Sequence, residues 1–199
     1  APISNPAPRF AILEAGHLGL SVASVIETHT HADFMSCGRE LAELSGASYR
    51  LHESAPVKFD FTPIRDSEVI ELGKLRIQAL HTPGHTPEHT CFLVTDTSRS
   101  KEPWFLLSGD SLFVGDVGRP DLLLGAAAND VLSGEARAAL QYRSIRDRLC
   151  VLPDHYAIFP THFGGPGWRR RKLVGEARPP IPSDRHRHPT MPYPTPPHR

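Results

Sequence analysis

The first third of the chain alternates apolar and polar segments in the order strand, helix, strand. An apolar run over residues 22–28 predicts a buried strand, and apolar side chains at helical spacing over residues 33–44 predict a helix that ends at Gly46. The segment Ser48–His52 predicts the second strand. This order is typical of a βαβ unit. A preceding helix is predicted over residues 9–16, with the glycine in its last position as the stop signal.

The next part of the chain predicts a series of strands joined by turns. Gly73 and Lys74 separate two apolar segments and are typical of the turn of a β-hairpin. Residues 81–89 contain two prolines and a glycine, and they predict a loop. The predicted strands are residues 68–72, 75–80, 90–95, 104–108 and 157–160, and the clearest amphipathic helix is residues 136–149.

Histidine and aspartate residues follow several of these strands. His29 and His31 follow the first strand, His85 lies in the loop after the hairpin, and Asp110 follows a later strand. Because residues two apart in an extended segment point the same way, His29 and His31 can face one point, and Asp33 continues the spacing. Neutral imidazole and carboxylate are the ligands that borderline and hard metal ions prefer. The pattern therefore predicts a metal site at one edge of a layered α/β fold.

Composition restricts the class of protein. With 199 residues, 39% hydrophobic and 22% charged, the chain has the composition of a soluble globular protein with room for one core. No apolar run approaches the roughly 20 residues of a membrane span, so no membrane partner is expected. Three cysteines without a C-x-x-C spacing argue against a disulfide framework. They indicate a reducing compartment, so we expect a cytoplasmic protein.

Residues 166–199 differ in composition from the rest of the chain. They hold nine of the 20 prolines and a net charge of +6, whereas residues 1–165 carry −6. A segment this rich in Pro and Arg cannot bury enough apolar surface to offset its ordering entropy. We therefore expect one domain over residues 1–165 and a disordered Pro/Arg-rich tail over residues 166–199. A nucleic-acid partner is the weaker interpretation of this basic tail.

Four motifs resemble the metal-binding motifs of the metallo-β-lactamase superfamily, in order and at familiar spacing. They are Thr-His-Thr-His-Ala-Asp-Phe at residues 28–34, Thr-Pro-Gly-His-Thr at 82–86, Ser-Gly-Asp at 108–110 and Pro-Thr-His at 160–162. The resemblance covers about residues 10–165. It implies an α/β fold, the αββα sandwich, with a metal between the two sheets at one edge. We expect this sandwich to lack the N-terminal edge strands that usually precede the first helix.

Three segments are closer still to the bacterial persulfide dioxygenase branch, whose members are often fused to rhodanese domains. They are His-Ala-Asp-Phe at residues 31–34, His-Thr-Pro-Glu-His at 85–89 and Leu-Phe-Val-Gly-Asp-Val-Gly-Arg-Pro-Asp-Leu at 112–122. The resemblance implies oxidation of a thiol-bound persulfide, such as glutathione persulfide, by O2 to sulfite. It also implies a rhodanese partner, either separate or as a fused domain.

The resemblance further implies one Fe(II) per chain, held by His29, His85 and Asp110. Two histidines and one carboxylate leave positions open for the persulfide and O2. The same resemblance implies that His31 and Asp33 are catalytic residues beside the metal ligands. They would orient these ligands or move protons.

Arg119 is the candidate substrate-binding residue. Its guanidinium is always charged and can anchor an anionic substrate such as glutathione persulfide. The alternative is a structural ion pair with Asp116 or Asp121, and the sequence favours neither.

A zinc-dependent hydrolase of the glyoxalase II type, a thioester hydrolase, is the alternative function. Dinuclear hydrolases of the superfamily carry a histidine at the position of Phe34, and phenylalanine cannot bind a metal. A weak second metal site would keep only Asp33, His162 and a shared Asp110, with His31 beside them. Mononuclear Zn(II) stays open as well, because three protein ligands and one water suffice for hydrolysis. A further alternative is an inactive metal-binding fragment.

Overall fold

The computed structural model describes residues 7–31, 35–121 and 133–162. The chain divides into two units, Ala1–Gly165 and Pro166–Arg199, and all described residues belong to the first. The disorder expected of residues 166–199 therefore stays a prediction. None of the helices in the described part has the length and apolar composition that a membrane-spanning helix needs.

The first sheet has three parallel strands and carries two helices. The strands are β1 (Ser24–Ile26), β2 (Ser48–His52) and β3 (Thr62–Ile64), in that order, and the helices are α1 (Ala7–His17) and α2 (Gly38–Ser45). Helix α2 connects β1 to β2, which are parallel, so the predicted βαβ unit is confirmed. Helix α2 packs against both strands and α1 lies beside α2, so the two helices form an outer layer on this sheet.

The second sheet has five strands in chain order. They are β4 (Val69–Leu72), β5 (Leu75–His81), β6 (Thr90–Asp96), β7 (Phe105–Gly109) and β8 (Ala157–Pro160). Neighbouring strands are antiparallel except β7 and β8, which are parallel. Helix α3 (Gly134–Ser144), which continues into a π-helical turn (Ile145–Leu149), lies between β7 and β8 in the chain.

Two clusters of buried apolar side chains define the layers. One lies between the two sheets and contains Ile26, Ile64, Ile70, Ala79 and Phe92. The other joins the second sheet to the last helical segment and contains Leu80, Cys91, Leu93, Leu106, Ile145 and Leu149. Ala79 and Leu80 are neighbours in β5 yet belong to different clusters, because successive residues of a strand point to opposite faces. The layers are α, β, β and α, so the predicted sandwich is confirmed.

The predicted start of the second helix is wrong. Residues 35–37 lie outside the helix, and α2 begins at Gly38 instead of Asp33. The reason is a local turn in which the N–H of Gly38 donates to Ser36 Oγ at 3.0 Å. The predicted end at Gly46 is confirmed, because this glycine adopts the left-handed conformation with φ 70°.

The predicted end of the first helix is also wrong. Helix α1 continues past Gly16 to His17. The helix is closed by Gly19, which has φ 69°, and by the N–H of Leu20, which donates to the carbonyl of Ala15 at 2.8 Å. This is the usual closure by a left-handed glycine, displaced by three residues from the predicted one.

The strand predictions are largely confirmed. The hairpin pairs Leu72 with Leu75 across its turn, as expected. The first strand is shorter than predicted, and β3 was not predicted because three residues that include Pro63 give no periodic signal. The predicted last helix divides into α3 and its π-helical turn.

Candidate metal centre

Three buried side chains converge where strands of the two sheets end. His29 follows β1, His85 lies in the loop between β5 and β6, and Asp110 follows β7. Their ligand atoms all lie within 4.8 Å of one another, and among the described residues they are the one group of histidine, cysteine and carboxylate side chains so arranged. The Nε2 atoms of His29 and His85 lie 3.8 Å and 3.5 Å from Asp110 Oδ2.

These separations fit a shared cation. They exceed the usual length of an N–H···O hydrogen bond. Two ligands bound about 2.0–2.2 Å from one ion, at a tetrahedral angle, would lie about 3.4 Å apart. His29, His85 and Asp110 therefore fit a metal ion in both chemistry and spacing, and the three are the residues that could hold it.

The orientation of His85 is fixed by a backbone carbonyl. His85 Nδ1 lies 2.9 Å from the carbonyl oxygen of Arg119, which can only accept, so Nδ1 carries the proton. The lone pair of the neutral ring is then on Nε2, which faces Asp110. A hydrogen bond from the far nitrogen to a carbonyl is the usual way in which a protein fixes the tautomer of a metal-binding histidine.

His29 is held in a neutral form by its surroundings. The side chain is buried, and its Nδ1 lies 2.9 Å from the hydroxyl of Thr28. Burial, and then repulsion from the neighbouring rings of His89 and His31, lowers the pKa of His29 far below its usual value. The ring therefore keeps a lone pair for a cation at neutral pH.

His89 contacts two of the three candidate ligands, His29 and Asp110. This supporting role was not assigned from the sequence. Its Nε2 accepts the backbone N–H of Asp110 at 2.9 Å, and its Nδ1 is bonded to the hydroxyls of Thr82 and Ser111. The ring also stacks on His29, with centroids 5.0 Å apart. Complete burial, and then repulsion from neighbouring histidines, lowers the pKa of His89 to about 3. The available signal in the sequence was its place at the end of the His-Thr-Pro-Glu-His motif.

Two glycines allow the backbone to pack closely around the candidate ligands. A Cβ on Gly118 would lie 1.8 Å from the carbonyl oxygen of Asp110 and 3.2 Å from His85 Nδ1. Gly109 has φ 53°, and a Cβ there would lie 2.5 Å from His89 Nε2. Both positions therefore need glycine for close approach of the backbone to the site.

His31 lies beside the metal set. Its ring centroid is 4.3 Å from that of His29, and its Nε2 is 3.6 Å from Glu27 Oε2. Burial alone would raise the pKa of Glu27, but hydrogen bonds from His31 and Ser36 outweigh burial and lower it. Glu27 was not singled out in the sequence. Asp33, the other predicted catalytic residue, lies outside the described residues, as does Phe34.

His162 reaches the same carboxylate from the end of β8. Its Nε2 lies 3.5 Å from Asp110 Oδ2, and its side chain is 41% exposed. The structure therefore brings His162 to the metal set, on a side that solvent reaches.

Arg119 makes an ion pair at the surface. Its guanidinium donates two hydrogen bonds to the carboxylate of Asp121, at 3.1 Å and 2.7 Å, and the side chain is 68% exposed. The structural pairing with Asp121 is thus present. An exposed pair of this kind is weak, so the guanidinium can exchange Asp121 for an anionic ligand.

Comparison with known proteins agrees with this geometry. No protein-family model matches the chain. The mitochondrial persulfide dioxygenase ETHE1 of Homo sapiens is 28% identical over 172 residues, with 81% of this chain and 56% of that protein covered. A probable metallo-hydrolase of Burkholderia pseudomallei is 29% identical over 180 residues, with 79% of this chain and 58% of that protein covered. The chain spans little more than half the length of these curated relatives.

Solved structures show the same architecture. The crystal structure of a metallo-β-lactamase from Staphylococcus aureus matches with a TM-score of 0.66 and 35% identity, covering 82% of this chain and 48% of that one. The chain therefore has the metallo-β-lactamase fold. Among the curated proteins, the expected resemblance to persulfide dioxygenases is also confirmed.

Proposed function

We propose that this chain is the metal-bearing part of an iron-dependent persulfide dioxygenase. The observation that carries the proposal is the buried set of His29, His85 and Asp110, which has two imidazoles and one carboxylate. This is the ligand set of non-haem Fe(II) oxygenases. The net reaction consumes one thiol-bound persulfide, one O2 and one water, and it releases the thiol, sulfite and two protons.

One Fe(II) per chain is favoured over a metal pair. Phe34 occupies the position at which dinuclear hydrolases of the superfamily carry a histidine, and it offers no ligand atom. The similarity to a human persulfide dioxygenase supports the same choice. When bound, the iron would supply the binding and activation of O2 beside the terminal sulfur of the substrate.

The residues around the metal set orient the metal-binding side chains and transfer protons. The carbonyl of Arg119 keeps the proton of His85 on Nδ1, so Nε2 stays available. The carboxylate of Asp110 offsets the charge of a cation. His31 is proposed to move one of the released protons, since its ring lies beside His29 and its Nε2 is 3.6 Å from Glu27 Oε2. Asp33 is proposed on sequence grounds to assist as a second proton carrier.

Substrate binding is assigned to Arg119. Its exposed guanidinium can bind a carboxylate of glutathione persulfide by the same paired contacts that it makes with Asp121. A rhodanese domain, separate or fused, is proposed as the partner that delivers or removes sulfur.

A metallo-hydrolase is the second candidate. The observation that favours it is His162, which lies 3.5 Å from Asp110 Oδ2 and could hold a second metal with Asp33. The relative from Burkholderia pseudomallei, described as a probable metallo-hydrolase, supports the same alternative. A thioester of the glyoxalase II type is the substrate to try, with Zn(II) as the metal.

The deciding experiment measures O2 consumption by anaerobically iron-loaded protein on addition of glutathione persulfide. A zinc-loaded sample and a His85→Ala variant exposed to iron in the same way serve as controls. We expect O2 uptake with matching sulfite formation only in the iron-loaded wild type. No uptake by folded protein that retains iron would contradict the dioxygenase, and thioester hydrolysis by the zinc-loaded sample would then favour the hydrolase. Protein that retains neither metal would indicate the inactive fragment.

A further inference from the structure

Glu88 is a buried carboxylate in the loop that also carries His85. It lies between β5 and β6, directly before His89, and is 1% exposed. A carboxylate is rarely buried to this degree unless hydrogen bonds or an opposite charge compensate for the lost water. The contacts of Glu88 therefore indicate what this buried group does.

Glu88 binds the segment between the two histidines that follow β1. Its Oε1 accepts the backbone N–H of Thr30 at 2.8 Å and the hydroxyl of Thr30 at 2.5 Å. Thr30 lies between His29 and His31 in the chain. A side chain from the loop between β5 and β6 of the second sheet thus holds the backbone of the first histidine motif, which follows β1 of the first sheet.

The two peptide groups that flank His29 are both held by residues 88–90, at the end of this loop and the start of β6. On one side, the carbonyl of Thr28 accepts the N–H of Thr90 at 2.8 Å. On the other side, the N–H of Thr30 donates to Glu88. Thr90 and Glu88 are joined in turn, because the Thr90 hydroxyl donates to the Glu88 carbonyl at 3.0 Å. Because both flanking peptides are held, the direction of the Cα–Cβ bond of His29 is set by these contacts.

The second oxygen of Glu88 has no hydrogen-bond partner within the described residues. An unpaired buried carboxylate oxygen lowers stability, so the side chain is poorly explained as a device for folding alone. An amide at this position would keep the bonded oxygen. This makes Gln a variant that preserves the contact with Thr30 and removes the charge.

We propose that Glu88 is a positioning residue for the metal centre, whose Oε1 holds the peptide after His29 so that the imidazole faces Asp110. The inference rests on the metal set of the proposed function and does not depend on the reaction. Residues that orient metal ligands through hydrogen bonds typically change metal affinity by 10–100-fold. The length of the side chain and its acceptor oxygen, and not its charge, are the required properties.

Cobalt binding to the full chain tests this role, because Co(II) reports the geometry of its ligands in its visible absorption spectrum. We would compare Glu88→Gln, which keeps length and acceptor, with Glu88→Asp, which keeps charge but is one methylene shorter. The expected result is a native spectrum and a Kd within about threefold for Glu88→Gln. For Glu88→Asp we expect an altered spectrum at saturating cobalt and a Kd raised by at least about tenfold.

A stability control separates positioning from folding. Leu149→Ala removes a buried side chain that is far from His29, His85 and Asp110 in the chain, and it should lower Tm while leaving the cobalt spectrum native. A native spectrum and Kd for Glu88→Asp would overturn the proposal, as would weakened binding by Glu88→Gln alone. If the wild type binds no cobalt, the metal set itself is wrong. A failure of the dioxygenase reaction alone would leave the cobalt result unchanged.

Discussion

The imidazole of His89 accepts the backbone N–H of Asp110 at 2.9 Å, and the same ring stacks on His29. A fully buried histidine thus supports two of the three proposed metal ligands without facing the ion itself. The contact requires His89 Nε2 to be unprotonated, which agrees with its pKa of about 3. His89 is therefore part of the framework on which the site is built.

Acid should destabilise the metal-free protein because of this histidine. The pKa of His89 is lowered from 6.5 to about 3 in the folded state, so between these values the unfolded chain binds a proton that the folded protein does not. The free energy of unfolding should therefore fall as the pH falls below about 6.5, approaching about 1.4 kcal/mol per pH unit for this one group. His29, whose pKa is also lowered, adds to the slope.

Urea denaturation at pH 7, 6 and 5 checks this dependence, with a chelator present throughout. A His89→Gln variant serves as the control, since it should show a slope smaller by one proton. An unfolding free energy that stays constant over this range would contradict the burial of a neutral His89.

Removal of one ligand should abolish metal retention. We expect His85→Ala to lose the single iron or zinc ion per chain, because the remaining His29 and Asp110 offer only two ligand atoms. His155→Ala, which changes a histidine 66% exposed at the surface, is the matched control and should retain the metal. Metal analysis after gel filtration gives the answer, and stoichiometric metal in His85→Ala would remove His85 from the ligand set.

Gly118→Ala should disrupt the site although it removes no ligand. The new Cβ would lie 1.8 Å from the Asp110 carbonyl oxygen, so the loop must move away from His85. We expect a loss of about 1–3 kcal/mol in stability and weaker metal binding. Gly16→Ala is the control, because its Cβ meets nothing within 4 Å in α1 and should stabilise the helix by about 0.5–1 kcal/mol. If the two variants have the same Tm and the same metal affinity, the backbone at Gly118 is not as tightly packed as the structure indicates.

Metal should stabilise the folded chain by mass action. A ligand that binds only the folded state adds about 2.7 kcal/mol at a free concentration of 100 times its Kd. We expect Tm to rise with added Fe(II) or Zn(II) and to fall again with chelator, in the wild type but not in His85→Ala. If Tm does not change when the metal is added, the buried set of His29, His85 and Asp110 does not bind it.

Arg119→Ala should affect substrate binding more than stability. The guanidinium is 68% exposed and pairs with Asp121, and an exposed pair of this kind contributes little to stability. We expect KM for glutathione persulfide to rise with little change in kcat or Tm. Asp121→Asn releases Arg119 from its pair and should leave KM unchanged or lower it. An unchanged KM in Arg119→Ala would contradict the role in substrate binding and leave the ion pair with Asp121 as the only role of Arg119.

Much of the scaffold follows from local sequence patterns. The alternation of β4 and β5 around Gly73 and Lys74 specifies the hairpin and its register, because residue spacing alone fixes which side chains share a face. The predicted end of α2 at Gly46 depends only on the left-handed conformation that glycine adopts easily. The start of α2 was mispredicted, because the turn at Ser36 and Gly38 interrupts the helical periodicity.

The candidate site, like the scaffold, was determined partly by the sequence and partly by the tertiary structure. The sequence by itself determined the types of group, imidazole and carboxylate, and their positions after strands, since these depend on short-range order along the chain. Only the tertiary structure decided that Arg119 presents its carbonyl to His85, that Glu27 faces His31, and that Glu88 holds Thr30. The contacts of Arg119 and Glu88 join segments far apart in the chain through backbone atoms that all residues share, so they leave no mark in residue spacing. The contact between Glu27 and His31 depends on the local conformation that the chain adopts after β1.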